Sequence, residues 1–370
     1  MKILIGGDFC PENRAEQQLI DGENLLDAAY ESIWSEPDYR VLNLEGPITN
    51  AEHKILKVGR HIKFSPDIEN GLKKMNIDIL SLANNHIMDY GSKGYQETIS
   101  TLDKIGIDYI GCSSKKYSIL DKANVKVALL SFSNKEFSLI ADFQGEGSYP
   151  IDLIDILETI ERVKKETENI IILLHTGLSG FPYPSPDQKR TCRFLIDQGV
   201  SSVLCQHSHT IGAYEHYKDG FISYGQGSFV FDLNKRKSFW NKGYSVIHNF
   251  KENKSNSFEI IPHYQFDDIL KVRLPYKEER RLIENELIKY NKILSKPSEY
   301  NKNWIEFVDS QEKSYFREYY LGKNRILRKL FAKKKFNFSN LMPLNKKKLL
   351  LNFLRNDEHK EVLIQILKDK

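Results

Sequence analysis

S81-L-A-N-N-H-I-M-D-Y-G91 is the stretch whose reading decides the fold. It follows the apolar run IDILSL (77–82), which has the length and composition of a buried strand. Gly91 and the helix-like segment SKGYQETISTLDKI (92–105) come next. Asn84, Asn85, His86 and Asp89 therefore gather at the C-terminal edge of a strand, where open α/β sheets carry ligand-binding and catalytic groups. A capped strand-to-helix turn could also use Asn and Asp here, because both bond their own backbone. Three more polar clusters end apolar runs in the same way: Asp8 after ILIGG (3–7), Glu45 within VLNLEGP (41–47), and His175 with His207 and His209 after IIILL and SSVLC.

Working outward, DYIG (108–111) and VKVALLSF (125–132) read as further strands, and residues 18–34 and DLIDILETIERVKKE (152–166) as helices. PDIENGLKKM and DQKRTCRFLIDQG are helical too, the first with Pro near its start. GLSGFPYPSPDQ (177–188) is a loop rich in Pro and Gly. From 221 to 266 strands follow one another without helices: FISYGQGSFVFD, GYSVIHNF and NSFEIIPHYQF. Such a mixture predicts an α/β architecture of two sheets flanked by helices. After Pro275 helical periodicity takes over, so the expected division is 1–275 and a helical region 276–370.

The 370 residues carry a net charge of only +4. Its distribution says more. Residues 276–370 hold 23 Lys and Arg against 13 Asp and Glu, leaving an acidic front part. KNRILRKLFAKKKFNFSNLMPLNKKK (323–348) has ten basic residues and no acidic ones, interleaved with Leu, Ile and Phe. That stretch suits an anionic membrane surface or an acidic polymer, or else the solvated face of a helical subdomain. No recognised nucleic-acid motif accompanies it, so nucleic acid is not the expected partner. Cys10, Cys112, Cys192 and Cys205 show no paired spacing. The start MKILIGGDFC turns polar too soon for a signal peptide, and no run approaches a membrane-spanning length. These features predict a cytoplasmic chain, with the basic stretch able to hold it to the inner face of the membrane.

Asp8, Glu45, Asn85, His86, His175, His207 and His209 mix oxygen and imidazole donors, a set that suits one or two divalent transition metals. Glu45 could bridge two ions, which together can clamp a phosphoryl group and acidify a water. His86 could then protonate a leaving oxygen. His207 and His209 would face one side if the strand continued, and could converge on one centre in a loop. There is no P-loop and no GxGxxG, and Cys205 is expected to be buried.

GGDFCP, NLEGPIT, SLANNHIMDYG, HTGLSGFPYPSPDQ and QHSHTIGAYEHYKDGFISYGQGSFVFD resemble, in that order, the CapA family of capsule and poly-γ-glutamate synthesis proteins, a branch similar to calcineurin-like metallophosphoesterases. The resemblance covers roughly residues 1–250. It implies a four-layer sandwich of two mixed sheets between helices, and a metal-dependent hydrolase, in the first instance a phosphoesterase, holding Mn, Fe or Zn. Its substrate would be a phosphate-containing or anionic polymer. Two alternatives stay open: a non-catalytic factor that binds an anionic chain end, and a hydrolase of the γ-glutamyl amide. By position, Asp8 and His209 would hold one ion, Asn85, His175 and His207 the other, and Glu45 would bridge. His86 would be the general acid, with Asp89 orienting it or merely forming the turn. Arg14, Asn84 and Tyr224 are candidate substrate-binding residues. The chain departs from the pattern where phosphoesterases carry Asp (Glu45 here) and His (Cys10 here), which makes Cys10 a candidate thiolate ligand.

Overall fold

A computed structural model of the chain describes residues 1–57, 59–138, 145–233, 240–252, 256–321, 341–355, 359 and 367. The chain begins with β1 (Lys2–Cys10), α1 (Arg14–Ile20), α2 (Ala28–Ser35), β2 (Tyr39–Leu44), α3 (Glu69–Lys74), β3 (Ile79–Ser81), α4 (Gly91–Ile105) and β4 (Asp108–Ile110). A second run comprises β5 (Tyr117–Lys122), β6 (Val125–Ser133), α5 (Leu153–Val163), β7 (Ile170–His175), α6 (Pro186–Asp197), β8 (Ser202–Gln206), β9 (Tyr214–Tyr217) and β10 (Gly220–Ser223). Then come β11 (Ser228–Phe231), β12 (Lys242–Asn249), β13 (Ser257–Gln265), β14 (Val272–Arg273) and α7 (Lys277–Leu294).

The strands form two mixed sheets. One has eight strands in the order β14-β13-β12-β1-β2-β3-β4, with β11 also paired to β1. Its β1–β4 run is parallel, while β12, β13 and β14 add antiparallel strands. The other has six strands, β5-β6-β7-β8-β10-β9, parallel from β6 to β10. Side chains alternate along β1: Ile3 and Ile5 join Val127, Leu129, Ile171 and Leu173 in the core between the sheets, whereas Leu4 faces Leu19, Tyr30, Trp34 and Leu102 of the helices outside. Burying each such side chain contributes about 1.5–3 kcal/mol. A one-residue slip of β1 would exchange the two faces, so the pattern fixes the register. On the far side α6 packs onto the second sheet through Cys192 beside Cys205 and Ile196 beside Gly220. The expected sandwich of two mixed sheets flanked by helices is the observed architecture.

Local signals explain the helix ends. Asp27 caps α2 by accepting from Tyr30 N, and Ser185 with Gln188 forms a capping box ahead of Pro186 in α6. Residues 18–34, read as one helix, are two, because Gly22 has left-handed backbone (φ 70°) between α1 and α2. Gly7 permits the closest approach in the first sheet: a Cβ there would lie 2.0 Å from the Gly227 carbonyl oxygen. That approach sets β1 against β11 at the level of Asp8 and Ser228.

The first compact unit runs from Met1 to Pro297, beyond the boundary expected near Pro275. Ile283 and Leu287 of α7 are buried in the inter-sheet core cluster with Val246 and Phe250, which holds α7 to this unit. The second unit, Ser298–Lys370, holds all but the first residue of the helix Pro297–Leu321 and the helix Leu344–Arg355 among its described residues. Most of the basic stretch 323–348, and with it the expected membrane or polymer contact, lies outside the described residues. Among the described residues no helix is long and apolar enough to cross a membrane.

Candidate metal centre

Five strand ends meet above the carboxyl edges of the two sheets. Asp8 closes the inward-facing part of β1 and is fully buried. Its Oδ1 accepts from Asn43 Nδ2 at 2.8 Å and its Oδ2 from the His207 backbone N–H at 2.9 Å. His175 Nδ1 lies 3.5 Å from Oδ1 and His209 Nδ1 3.2 Å from Oδ2. Burial works against its charge, but the hydrogen bonds from His175 and His209 and their charges prevail, so its carboxyl sits well below the usual range. Glu45 follows β2, tied down by its N–H to Phe9 O at 3.0 Å. Its Oε1 is 3.7 Å from His175 Nε2 and 3.6 Å from His209 Nε2. Burial, with Asp8 and Glu12 nearby, pushes the Glu45 carboxyl well above its ordinary value.

His207 and His209 do not continue β8. Both take left-handed backbone, φ 85° and 52°, so the H-S-H run coils and its two imidazoles turn toward one centre. His207 Nδ1 stands 3.0 Å from His175 Nε2, and His175 Nε2 stands 3.1 Å from Asn85 Oδ1. The His209 ring stacks on Trp240, centroids 4.5 Å apart. Two donor groups result, Glu45–His175–His207 and Asp8–Glu45–His209, with the ligand atoms of each within 4.8 Å of one another and Glu45 common to both.

This donor set fits divalent cations on its own chemistry. His175 Nε2, His207 Nδ1, Asn85 Oδ1 and Glu45 Oε1 converge, and at most the ring nitrogens can supply protons between them. Among the described residues, Glu45 Oε2 is buried with no hydrogen-bond donor. Burial and the charges of His175 and His209 hold the His207 imidazole well below its ordinary value, so it stays neutral and able to ligate. Mixed imidazole, amide and carboxylate donors in two adjoining groups suit one or two divalent metal ions.

A second layer fixes His86. Its Nδ1 lies 2.7 Å from Asp89 Oδ2, which also accepts from Ile62 N at 2.7 Å. Lys57 Nζ pairs with Asp89 Oδ1 inside the protein. Burial lowers the His86 pKa; Asp89 opposes the shift and Lys57 adds to it. The Asp89 side chain thus faces His86 and also ties the turn to the backbone at Ile62.

The remaining candidates are placed differently. Cys10 does not join the ligands. A register shift in β1 between Asp8 and Phe9 turns it into the outer core, where its Sγ contacts Glu12 Oε2 at 3.6 Å. Burial and the charges of Glu12 and Glu45 raise its thiol well above the usual value. Arg14 is engaged in a two-point ion pair with Asp232, Nε–Oδ2 2.8 Å and Nη2–Oδ1 2.5 Å, and does not line the cavity. Asn84 is a buried brace: its Nδ2 donates to Leu44 O at 2.7 Å and its Oδ1 accepts from His86 N at 3.0 Å. Tyr224 is buried and donates to Glu215 Oε1 at 2.6 Å, so it packs rather than facing a substrate.

Three residues absent from the sequence-derived set belong here. Asn43, on β2, donates to Asp8 and lies 3.1 Å from His175 Nδ1. Glu136, three residues beyond β6, accepts from Asn85; its position after an apolar strand is the signal that marked the others. Lys57 lies in an irregular segment that offers no periodicity to read. A cavity of about 510 Å³ opens over the centre, lined by Lys57, Arg60, His86, Glu136, Phe231 and Trp240 among others. A larger cleft of about 810 Å³ lies among Asp121, Lys126, Glu166 and Lys251, away from both donor groups.

A pH dependence follows from Glu45. Its raised carboxyl stabilises the metal-free fold at low pH, where it is protonated, and that contribution is lost as pH rises through the raised value. Asp8, held low, stays charged over the same window. An ion held by Glu45 would have to displace its proton wherever the carboxyl is protonated, so affinity would weaken with acid. The melting-temperature difference between Mn-loaded and chelator-treated protein is expected to widen from about pH 5 to about pH 7.5. A difference that stays constant would contradict the assignment of Glu45 as a ligand.

The family model described as "Bacterial capsule synthesis protein PGA_cap" matches residues 2–233, which include all the residues of both donor groups. The chain is 28% identical over 242 residues to PGA biosynthesis protein CapA of Bacillus subtilis (strain 168), a match covering 63% of each chain. It is 29% identical over 208 residues to capsule biosynthesis protein CapA of Bacillus anthracis, covering 53% of this chain and 51% of that one. The chain thus spans less than two thirds of the length of these curated relatives. Among solved structures, it is similar to a novel phosphatase from Mycoplasma pneumoniae (TM-score 0.47, 13% identity, 71% and 92% coverage). A putative 5'-nucleotidase from Staphylococcus aureus is also similar (TM-score 0.45, 12% identity, 77% and 58% coverage). At these TM-scores neither likeness carries a residue-level inference.

Proposed function

Because the chain belongs to the bacterial capsule synthesis protein PGA_cap family, we propose that it is a metal-dependent hydrolase of a phosphate ester, acting on an anionic substrate in capsule or poly-γ-glutamate synthesis. The observation that carries this reading is the sharing of Glu45 by two donor groups directly beside His86 in one cavity. Asp8, Glu45 and His209 would hold one ion, and Glu45, Asn85, His175 and His207 the other. Ions bound there would supply charge for a phosphoryl oxygen and lower the pKa of a water.

The chain's own residues supply the rest. Asp89 Oδ2 and Lys57 Nζ both face His86 Nδ1, at 2.7 and 3.0 Å, which leaves Nε2 toward the substrate; in its protonated form the ring would give the Nε2 proton to a leaving oxygen. Lys57 balances the Asp89 charge, so the imidazole is oriented without being locked in its charged form. Arg60 stands at the cavity with its guanidinium on Glu12 and over the Phe231 ring. Phe231 and Trp240 form an apolar side that limits water over the centre.

Chain purified and reloaded with Mn²⁺ is expected to hydrolyse a chromogenic phosphate monoester or diester, and to lose that turnover in chelator. A fully loaded protein that cleaves neither ester would overturn the phosphoesterase reading. Cleavage of a γ-glutamyl anilide in their place would move the scissile bond to an amide. The smaller donor count of the Asp8–Glu45–His209 group, with Cys10 turned away, favours a non-catalytic binding role as the second reading. Retention of an anionic polymer by loaded protein that turns over none of these substrates would select it.

A further inference from the structure

An asparagine side chain has two ends of nearly equal size and opposite chemistry. Its carbonyl oxygen can ligate a cation; its NH₂ cannot. Whether Asn85 serves the centre therefore depends on what takes its NH₂. Asn85 Nδ2 donates to Glu136 Oε2 at 2.9 Å, and Asn85 Oδ1 faces His175 Nε2 at 3.1 Å. The other Glu136 oxygen lies 3.6 Å from His207 Nε2, on the ring whose Nδ1 points at His175. Glu136 thus touches the outer side of two ligands of one donor group, and neither Asp8 nor His209 of the other.

The segment carrying Glu136 is fastened to the same ligands. Asn134 N–H donates to His175 O at 3.0 Å, and Met88 N–H donates to Ser138 Oγ at 3.2 Å. The residues around Glu136 are therefore pinned to the end of β7 on one side and to the turn after Asn85 on the other. A carboxylate, which only accepts, repels an amide oxygen turned toward it, so it opposes the flipped arrangement as well as favouring the observed one.

We propose that Glu136 is a positioning residue of the metal centre, holding the Asn85 carbonyl oxygen and the His207 ring toward the ion shared by Glu45, Asn85, His175 and His207. This rests on the metal-binding reading above. Partners of this kind change metal affinity by about 10–100-fold when removed. The effect should fall chiefly on one of the two ions: among the described residues no hydrogen bond or ion pair joins Glu136 to Asp8 or His209, and only its charge reaches the shared Glu45.

Equilibrium dialysis of the full chain against Mn²⁺ and Co²⁺, with metal analysis and the visible spectrum of the Co²⁺ form, tests this. Wild type should bind two ions. Glu136→Ala should weaken one site by about 10–100-fold and change the other far less. Glu136→Gln keeps an acceptor for the Asn85 NH₂ and should recover most of the lost affinity. The Glu136 side chain is 33% exposed, so the metal-free melting temperature should match wild type in both variants, separating the effect from misfolding. Two unchanged sites in Glu136→Ala would overturn the proposal. So would a Glu136→Gln as impaired as Glu136→Ala, since charge or direct ligation would then be responsible. A wild type that binds neither ion would instead remove the metal reading itself, a result distinct from either.

Discussion

Glu45→Ala is expected to lower metal-dependent turnover by about 10³-fold or more, since the charge stabilisation lost with bound ions is worth several kcal/mol and each 1.36 kcal/mol is tenfold in rate. Glu45 is the one side chain common to both donor groups. Its Oε1 faces His175 and His209, and its Oε2 has no donor among the described residues. Removing it leaves each group with two of its three His/Asp/Glu ligands. The metal-free variant should nonetheless be no less stable than metal-free wild type near neutrality. Burial and Asp8 push the Glu45 carboxyl up, so the charged form is disfavoured in the metal-free protein and its removal costs the fold little. A variant that loses turnover and metal while keeping its metal-free melting temperature supports the bridging role. Retention of both ions and of turnover would end it.

His86→Ala gives the second large effect, with the opposite signature. His86 is absent from both donor groups and lines the cavity beside them. Its loss should lower kcat by about 10²–10⁴-fold, the usual contribution of a positioned proton donor, with two ions still bound. An ester with a good leaving group needs little protonation, so the deficit should shrink for a nitrophenyl substrate and grow for an alkyl one. Equal deficits for both would assign His86 a structural role. Asp89→Asn should follow His86→Ala only in part, because an amide oxygen can still accept from Nδ1 while the Lys57 pair is lost. Because Asp89 also accepts from Ile62 N, its melting temperature must be compared alongside.

The strand ends were the legible part of this site. Asp8, Glu45, Asn85, His175, His207 and His209 each follow a run apolar enough to be read as a strand, and a parallel sheet brings such ends to one edge. Whether His207 and His209 converge was not legible, because it depends on left-handed backbone at two non-glycine residues. Cys10 was misread for a related reason. Its spacing from Asp8 is right for one face of a regular strand, and the register shift between Asp8 and Phe9 breaks that regularity. Lys57 left no trace, since its partner Asp89 is distant in sequence and Lys57 itself lies in an irregular segment. The family resemblance and the strand pattern together led to the sandwich, but α7 looked like the start of a separate helical region. Its apolar residues Ile283 and Leu287 fit a helix of either unit, and only the packing against Val246 and Phe250 shows which.

The central claim is that side chains from five strand ends hold two ions on either side of Glu45. Anomalous diffraction from crystals grown with Mn²⁺, collected at energies bracketing the manganese edge, tests it most directly. Two anomalous peaks are predicted, one among Asp8, Glu45 and His209 and one among Glu45, Asn85, His175 and His207. Full manganese occupancy elsewhere on the protein, with no peak next to Glu45, would contradict it.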